Sequence, residues 1–248
     1  MDGLLIDERD AVLHLTLNRP EKFNALTAEL IHAVADQIDQ TSARVIVLTG
    51  NGKAFCSGAD VSGDKPSMDT LHAANRLTLT ILDSPKPVVA AVNGIAAGVG
   101  VSFALACDLQ VVTASAAFML AFTKIGLMPD GGASLLVPAA VGRARAARMA
   151  LLAEKIPAAQ AAEWGLVSHP VADEEFAAEV DRVAGALAAA APLALARTKQ
   201  AANAAVVPQI RAILGLEAAG QETLMYTEDF AEGVAAFQAK RTAIFHGR

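Results

Sequence analysis

Leu13, Leu15 and Leu17 alternate with His14 and Thr16. This two-residue period predicts a strand over residues 11–18, with the leucines turned to a core and His14 on the opposite, solvent-side face. Arg19-Pro20 ends it. Leu30, Val34 and Ile38 then recur at helical spacing behind Thr27, a residue type that caps helix starts, which predicts a helix to about residue 39. Residues 44–49 (R-V-I-V-L-T) and 87–92 (P-V-V-A-A-V) are short apolar runs of the kind found in strands buried on both faces. Between them, 54–63 reads as a loop and 69–83 as a helix. A short helix (98–106), a strand (109–113), helices at 131–141, 143–154 and 157–164, and a strand at 166–171 follow. From residue 173 the period is helical throughout: 173–190, 192–205, 208–225 and 227–240. Strands alternating with helices predict an α/β fold for residues 1–190. The helical remainder, 191–248, either caps its own core or packs on a neighbouring subunit.

Between Val88 and Cys107 no residue is charged, and the run is as long as a bilayer span. Asn93-Gly94 is a turn signal, and Gly98 and Gly100 weaken a helix. The run divides into a Val-rich half and a Gly/Ala half, so it predicts a buried strand followed by a helix, not a membrane segment.

Composition narrows the function. Of 248 residues, 54% are hydrophobic but only 4% aromatic, so the core is built from Ala, Val and Leu. Lys+Arg 20 against Asp+Glu 26 gives a net charge of −6, and no basic stripe marks a nucleic-acid partner. Cys56 and Cys107 are the cysteines, with no C-x-x-C, which fits a reducing, cytoplasmic compartment and no disulfide framework. The acidic start, MDGLLIDERD, has no signal-peptide pattern. His14, His32, His72, His169 and His246 are scattered without metal-ligand spacing. Gly52-Lys53 fails as a phosphate loop because Val47 and Ala54 occupy its required Gly and Ser/Thr places. Gly98-Val99-Gly100 fails as a dinucleotide fingerprint because Phe103 holds the third glycine place.

Two glycine-bracketed loops and one acid remain. Gly58-Ala59-Asp60 and Gly98-Val99-Gly100 can be tight turns, or can leave backbone amides free to converge on one oxygen as an oxyanion hole. Asp130, between Pro129 and Gly131-Gly132, can be the N-cap of the following helix or a carboxyl aimed at a site. Apolar neighbours would raise its pKa and a helix start would lower it, with opposite signs.

Seven segments occur in order: N-R-P-E-K-F-N-A-L (18–26), V-L-T-G-N-G-K-A-F-C-S-G-A-D-V (47–61), K-P-V-V-A-A-V-N-G-I-A-A-G-V-G (86–100), A-C-D-L (106–109), I-G-L-M-P-D-G-G (125–132), A-A-E-W-G-L-V (161–167) and F-Q-A-K-R-T-A-I-F (237–245). With them the chain resembles the crotonase (enoyl-CoA hydratase/isomerase) superfamily from end to end. The resemblance implies a spiral of ββα units, trimers or dimers of trimers formed through the C-terminal helices, an acyl-CoA thioester substrate, and no metal or cofactor beyond the coenzyme A of the substrate. It assigns the oxyanion amides to Ala59 and to Val99, where glycine is common in the family and the isopropyl group is expected to narrow the acyl pocket. It assigns substrate and coenzyme A contacts to Lys22, Phe23, Ala25, Ser57, Asp60, Val61, Gly100 and Phe122. Lys240 and Phe245 follow on the C-terminal segment, facing the same site or a neighbouring subunit's. The two glutamates of typical hydratases fall at Ser102 and Phe122, and both are absent. Asp130 falls where isomerase-type members carry a catalytic aspartate. The resemblance therefore implies a Δ3 to Δ2 double-bond shift with Asp130 as acid/base. Three alternatives stand beside it: a hydratase without the glutamate pair, an aryl-CoA reaction with Asp130 as nucleophile, and a catalytically silent acyl-CoA binder. Acyl preference is expected to lie in residues 62–80.

Overall fold

In the computed structural model, which describes residues 3–61, 68–168 and 170–248, the alternating leucines form a strand with a partner that the pattern did not announce. β1 (Leu4–Arg9) and β2 (Val12–Leu17) make an antiparallel hairpin. Its two turn residues, Asp10 and Ala11, have φ of 51° and 62°, as a primed two-residue turn requires. β1 exposes every residue but Leu4, so it carries no two-sided pattern to read.

Thr27 caps α1 (Ala28–Gln40), its hydroxyl accepting from the Leu30 amide. Three successive turns of chain then lay one strand in a large sheet and the next in a small one. The pairs are β3 (Val45–Gly50) with β4 (Ala54–Cys56), followed by α2 (Met68–Asp83); β5 (Val88–Val92) with β6 (Ile95–Ala97), followed by α3 (Val99–Ala106); and β7 (Leu109–Val112) with β8 (Ala117–Met119). The large sheet has the order β1-β2-β3-β5-β7 and is parallel from β2 onward. In the small sheet β4, β6 and β8 are parallel neighbours. This is the ββα spiral that the resemblance implied. α4 (Ala133–Leu152) bends at Gly142 (φ 76°, ψ 160°), which divides it where two helices were predicted. β9 (Ile156–Pro157) closes the small sheet, and α5 (Ala158–Trp164) and α6 (Phe176–Ala189) follow.

The large sheet is covered on both faces. Leu13, Leu15, Ile46, Leu48, Val88 and Ala90 face the main core. Val12, Val45, Val47, Val89 and Val111 meet Val180 and Ala184 of α6 on the other side. His14 lies on this second face and is half-buried, which corrects its predicted solvent-side place. Desolvation there lowers its pKa. Two other expectations change. The segment from residue 54 begins with β4 instead of a loop, and residues 62–67 lie outside the described residues. Among the described residues of the segment 166–171 there is no strand, only a single bridge, Val171 to Thr113. Strands of two or three residues, such as β6, β8 and β9, are too short to show a period.

The last helices, α7 (Pro192–Asn203), α8 (Val206–Leu224) and α9 (Glu228–Gln238), cap the chain's own core. α8 packs on α2 and α4, and α9 on the 3-10 turn at Ala121–Ile125. Lys199 of α7 is buried, its Nζ donating to the carbonyls of Ile81 (2.7 Å) and Lys86 (3.0 Å) and to the Asp108 carboxylate (2.7 Å). Asp108 also accepts from the Val88 amide, so one ion pair ties α7 to the start of β5 and β7. Among the described residues no helix is long and apolar enough to cross a membrane. Removing one member of a buried pair leaves its partner without compensation. Lys199→Ala is expected to cost about 3 kcal/mol of stability, measured by urea unfolding.

Candidate active site

The site begins where two neighbouring strands end. β4 and β6 are adjacent and parallel, so the chain leaves both at the same end of the small sheet. Gly58 (φ 100°) and Gly98 (φ 54°, ψ −132°) make the exits, in backbone regions that side chains rarely tolerate. A Cβ built on either would stand 3.6 Å from the other's Cα, so the loops touch glycine to glycine. Each glycine is followed by a predicted amide donor. The Leu26 amide donates to Gly58 O (2.9 Å) and the Asp60 amide to Leu26 O (2.8 Å), which leaves the Ala59 N–H on the other edge of its segment. Val99 is the first residue of α3, where an N–H has no carbonyl one turn back. Both residues line one cavity, and among the described residues neither amide is spent on a protein acceptor.

The acid arrives on the turn before α4. Gly131 (φ 63°) sits so tightly on α3 that a Cβ there would lie 2.7 Å from Val99 Cγ2 and 3.1 Å from Ser102 Cβ. Asp130 is thereby held beside the second amide. Part of the Val99 side chain packs on this turn, so its expected narrowing of the pocket is shared with a packing role. Ser102 Oγ donates to Asp130 O (2.7 Å) and Thr78 Oγ1 to Gly131 O (2.9 Å), both fixing backbone.

Two residues that sequence reasoning missed complete the arrangement, both from α8 and both without exposed surface. Glu217 accepts from the amides of Gly132 (2.8 Å) and Ser134 (2.9 Å), so it, and not Asp130, caps α4. Gln221 Nε2 donates to Met128 O (2.9 Å) and to Asp130 Oδ2 (2.8 Å). Asp130 as a residue is partly exposed, but its Oδ1 is buried and has no protein partner among the described residues. Of the two opposing influences, burial wins: it pushes the Asp130 carboxyl up to about 7, against the Gln221 hydrogen bond and with the help of the Glu217 charge. The only trace of this pair in the sequence is a carboxylate and an amide four residues apart on an otherwise apolar helix face.

The cavity has a volume of about 430 Å³. Lys22, Phe23, Ala25, Ser57, Ala59, Asp60, Val61, Val99, Phe122 and Asp130 of the expected set all line it. Leu71 of α2, Met119, Leu127, Met225 and Phe237 add apolar wall. Phe23 and Asn24 are both left-handed (φ 51° and 57°), a bend held by the buried Asn24 side chain, which donates to the carbonyls of Asn51 and Ala54. Asp60 pairs with Arg19 (2.8 Å) and Lys22 (3.1 Å) at one rim. Gly100 stands behind the wall. A Cβ there would lie 2.7 Å from Cys56 O, so this glycine lets α3 approach β4 and does not line the cavity. Lys240 and Phe245 are exposed and lie outside the cavity of their own chain.

Two amides without protein acceptors among the described residues and a buried carboxyl thus share one cavity, on a ββα spiral of the crotonase type. Residues 7–248 match the family described as enoyl-CoA hydratase/isomerase, and the chain belongs to it. A probable enoyl-CoA hydratase of Rhodobacter capsulatus is 44% identical, over 94% of each chain. A 1,2-epoxyphenylacetyl-CoA isomerase of Escherichia coli is 38% identical, over 100% of each. The crystal structure of an enoyl-CoA hydratase from Mycobacterium avium subsp. paratuberculosis superposes with a TM-score of 0.94 at 46% identity, covering 99% of both chains.

Gly98→Ala strains the loop contact, and is expected to reduce turnover by about a hundredfold or more, as loss of an oxyanion donor does. Ser102→Ala removes a bond to backbone and leaves the acid in place. It is expected to cost about 1 kcal/mol of stability and less than about tenfold in kcat; steady-state kinetics and thermal melts check both variants. Asp130 makes a third case. Its folded pKa lies above the ordinary 3.8, so its contribution to stability is full below about pH 4 and is lost as pH rises through about 7. Asp130→Asn is therefore expected to gain stability over wild type as pH rises from 5 to 8, by roughly 2 kcal/mol, measured by melts across that range.

Proposed function

We propose that this acyl-CoA-processing enzyme moves a C=C bond from Δ3 to Δ2. The observation that carries the proposal is a buried carboxyl, Asp130, whose Oδ1 has no protein partner among the described residues, in a cavity that also holds the Ala59 and Val99 amides. The thioester carbonyl oxygen accepts from both amides. The Asp130 carboxylate removes a proton from the carbon next to that carbonyl, and the electron pair moves into a dienolate whose charge the amides hold. The same carboxyl returns the proton two carbons further along, so the reaction balances with one acid/base group and includes no cofactor. A pKa of about 7 suits both halves, since at neutral pH the group is ionised often enough to take a proton and acidic enough to give it back.

Ser102 and Phe122 stand where a hydratase would place its two acids, and this supports the isomerase reading. The Escherichia coli relative named as an isomerase supports it too. The Rhodobacter capsulatus relative, named as a probable hydratase, makes water addition the second reading. Lys22 and Lys124 at the cavity suit the anionic end of a coenzyme A substrate. The exposed Leu193, Leu216 and Tyr226 of the C-terminal region support self-association there, which the proposal includes as a trimer or a dimer of trimers.

The test is incubation with 3-enoyl-CoA and 2-enoyl-CoA in D2O. Wild type is expected to isomerise the first and exchange α-protons, and Asp130→Asn to lose both by a factor of about 10²–10⁴. If wild type does neither, the isomerase reading is wrong. Hydration of 2-enoyl-CoA that survives Asp130→Asn would favour a hydratase. For the isomerase, kcat/KM should rise with pH along a single limb centred near 7.

A further inference from the structure

Glu217 and Gln221 lie one turn apart on α8 with no exposed surface, on a face that otherwise packs through Ile210 and Leu214. Burying a carboxylate and an amide costs free energy unless their hydrogen bonds repay it. Glu217 is explained by the α4 cap. Gln221 directs both Nε2 hydrogens at the acid's turn, one to Met128 O and one to Asp130 Oδ2. The Met128 bond fixes which way the amide faces, because a flipped Gln221 would set its Oε1 against two acceptors. At this turn two buried oxygens have no protein partner among the described residues: Gln221 Oε1 and Asp130 Oδ1.

We infer that Gln221 is a positioning residue that holds Asp130 by Oδ2 and so makes Oδ1 the single oxygen that carries the proton between the two carbons of the acyl group. The inference rests on the reading of Asp130 as the acid/base. An unheld carboxyl would rotate about its terminal torsion, which has broad wells, and present either oxygen. With Oδ2 occupied by an N–H, the carboxylate has one orientation, and the proton it takes resides on Oδ1. The C–H electron pair goes to the dienolate, the proton goes to Oδ1, and from Oδ1 it forms the new C–H bond, so nothing is left over.

The groups around Asp130 make the role separable from simple support. From α8 come Gln221 and the charged Glu217. From α3 and α2 come the Ser102 and Thr78 hydroxyls, both donating to carbonyls. Lys22 and Lys124 line the same cavity. Gln221 favours the ionised acid and Glu217 disfavours it, so their removal acts in opposite directions.

The experiment measures kcat, KM and α-deuterium exchange against pH for wild type, Gln221→Leu, Gln221→Met, Glu217→Gln and Asp130→Asn. Gln221→Met keeps an unbranched side chain of similar length in case the leucine variant fails to fold. The Gln221 variants are expected to lose at least about tenfold in kcat with KM within about twofold, and to move the acid limb up by about one pH unit. Glu217→Gln is expected to move the limb down. If a folded Gln221 variant keeps the wild-type limb, whether kcat is unchanged or falls only with melting temperature, the inference is overturned and Gln221 is structural. If Asp130→Asn keeps its turnover, the acid/base reading itself falls. An inactive Asp130→Asn beside an unshifted Gln221 variant overturns the inference alone.

Discussion

The contact between Gly58 and Gly98 is the constraint on which the site depends. A backbone amide can serve a developing negative charge only if it is left unpaired by the fold, and two can serve one oxygen only if two loops approach within a few ångströms. Parallel neighbours in a sheet deliver both loops to the same end. Positive φ at each glycine then turns the next N–H out of the ladder. The Leu26 bridge on one side and the start of α3 on the other keep Ala59 and Val99 from finding other acceptors. The two unspent N–H groups are backbone, so neither depends on the Val99 side chain. That side chain is used on the far side, to seat Gly131 and with it the acid.

The acid half is held by a different kind of interaction. Asp130 is raised toward neutrality chiefly by burial, and α8 supplies one neighbour that opposes this and one that adds to it. Glu217 takes the helix-capping task that an aspartate at the start of α4 would ordinarily perform, which leaves the Asp130 carboxyl free for the cavity. The C-terminal helices are therefore part of the site as well as its cover. α7 is tied to the core by the Lys199–Asp108 pair, and α8 reaches the turn that carries Asp130.

Much of this was legible in the chain. The helix cap at Thr27, the buried strands β3 and β5, the α3 helix and the break at Gly142 follow from period and punctuation, because local patterns report local structure. Ordered motifs carried the family. Within them, the resemblance sets Ser102 and Phe122 in the places of the two glutamates of typical hydratases. What local pattern missed falls into recognisable kinds. β6, β8 and β9 are too short to have a period. A single strand's alternation does not show that α6 covers the second face, where His14 lies. Nor does a glycine-rich motif show that the missing side chain of Gly100 serves the approach of α3 to β4 and not a ligand.

The sequence by itself determined the residue types at the site: glycines that free two amides, one acid between Pro129 and Gly131, and no second acid at Ser102 or Phe122. Only the tertiary structure decided that Asp130 does not cap α4. Capping its own helix and facing a cavity are both open to an aspartate at that place, and which occurs depends on whether another group takes the amides. That group, Glu217, and the amide that holds Asp130, Gln221, lie more than eighty residues away in sequence. Long-range packing brings them to the turn, and burial then sets the carboxyl's pKa, which no local pattern carries.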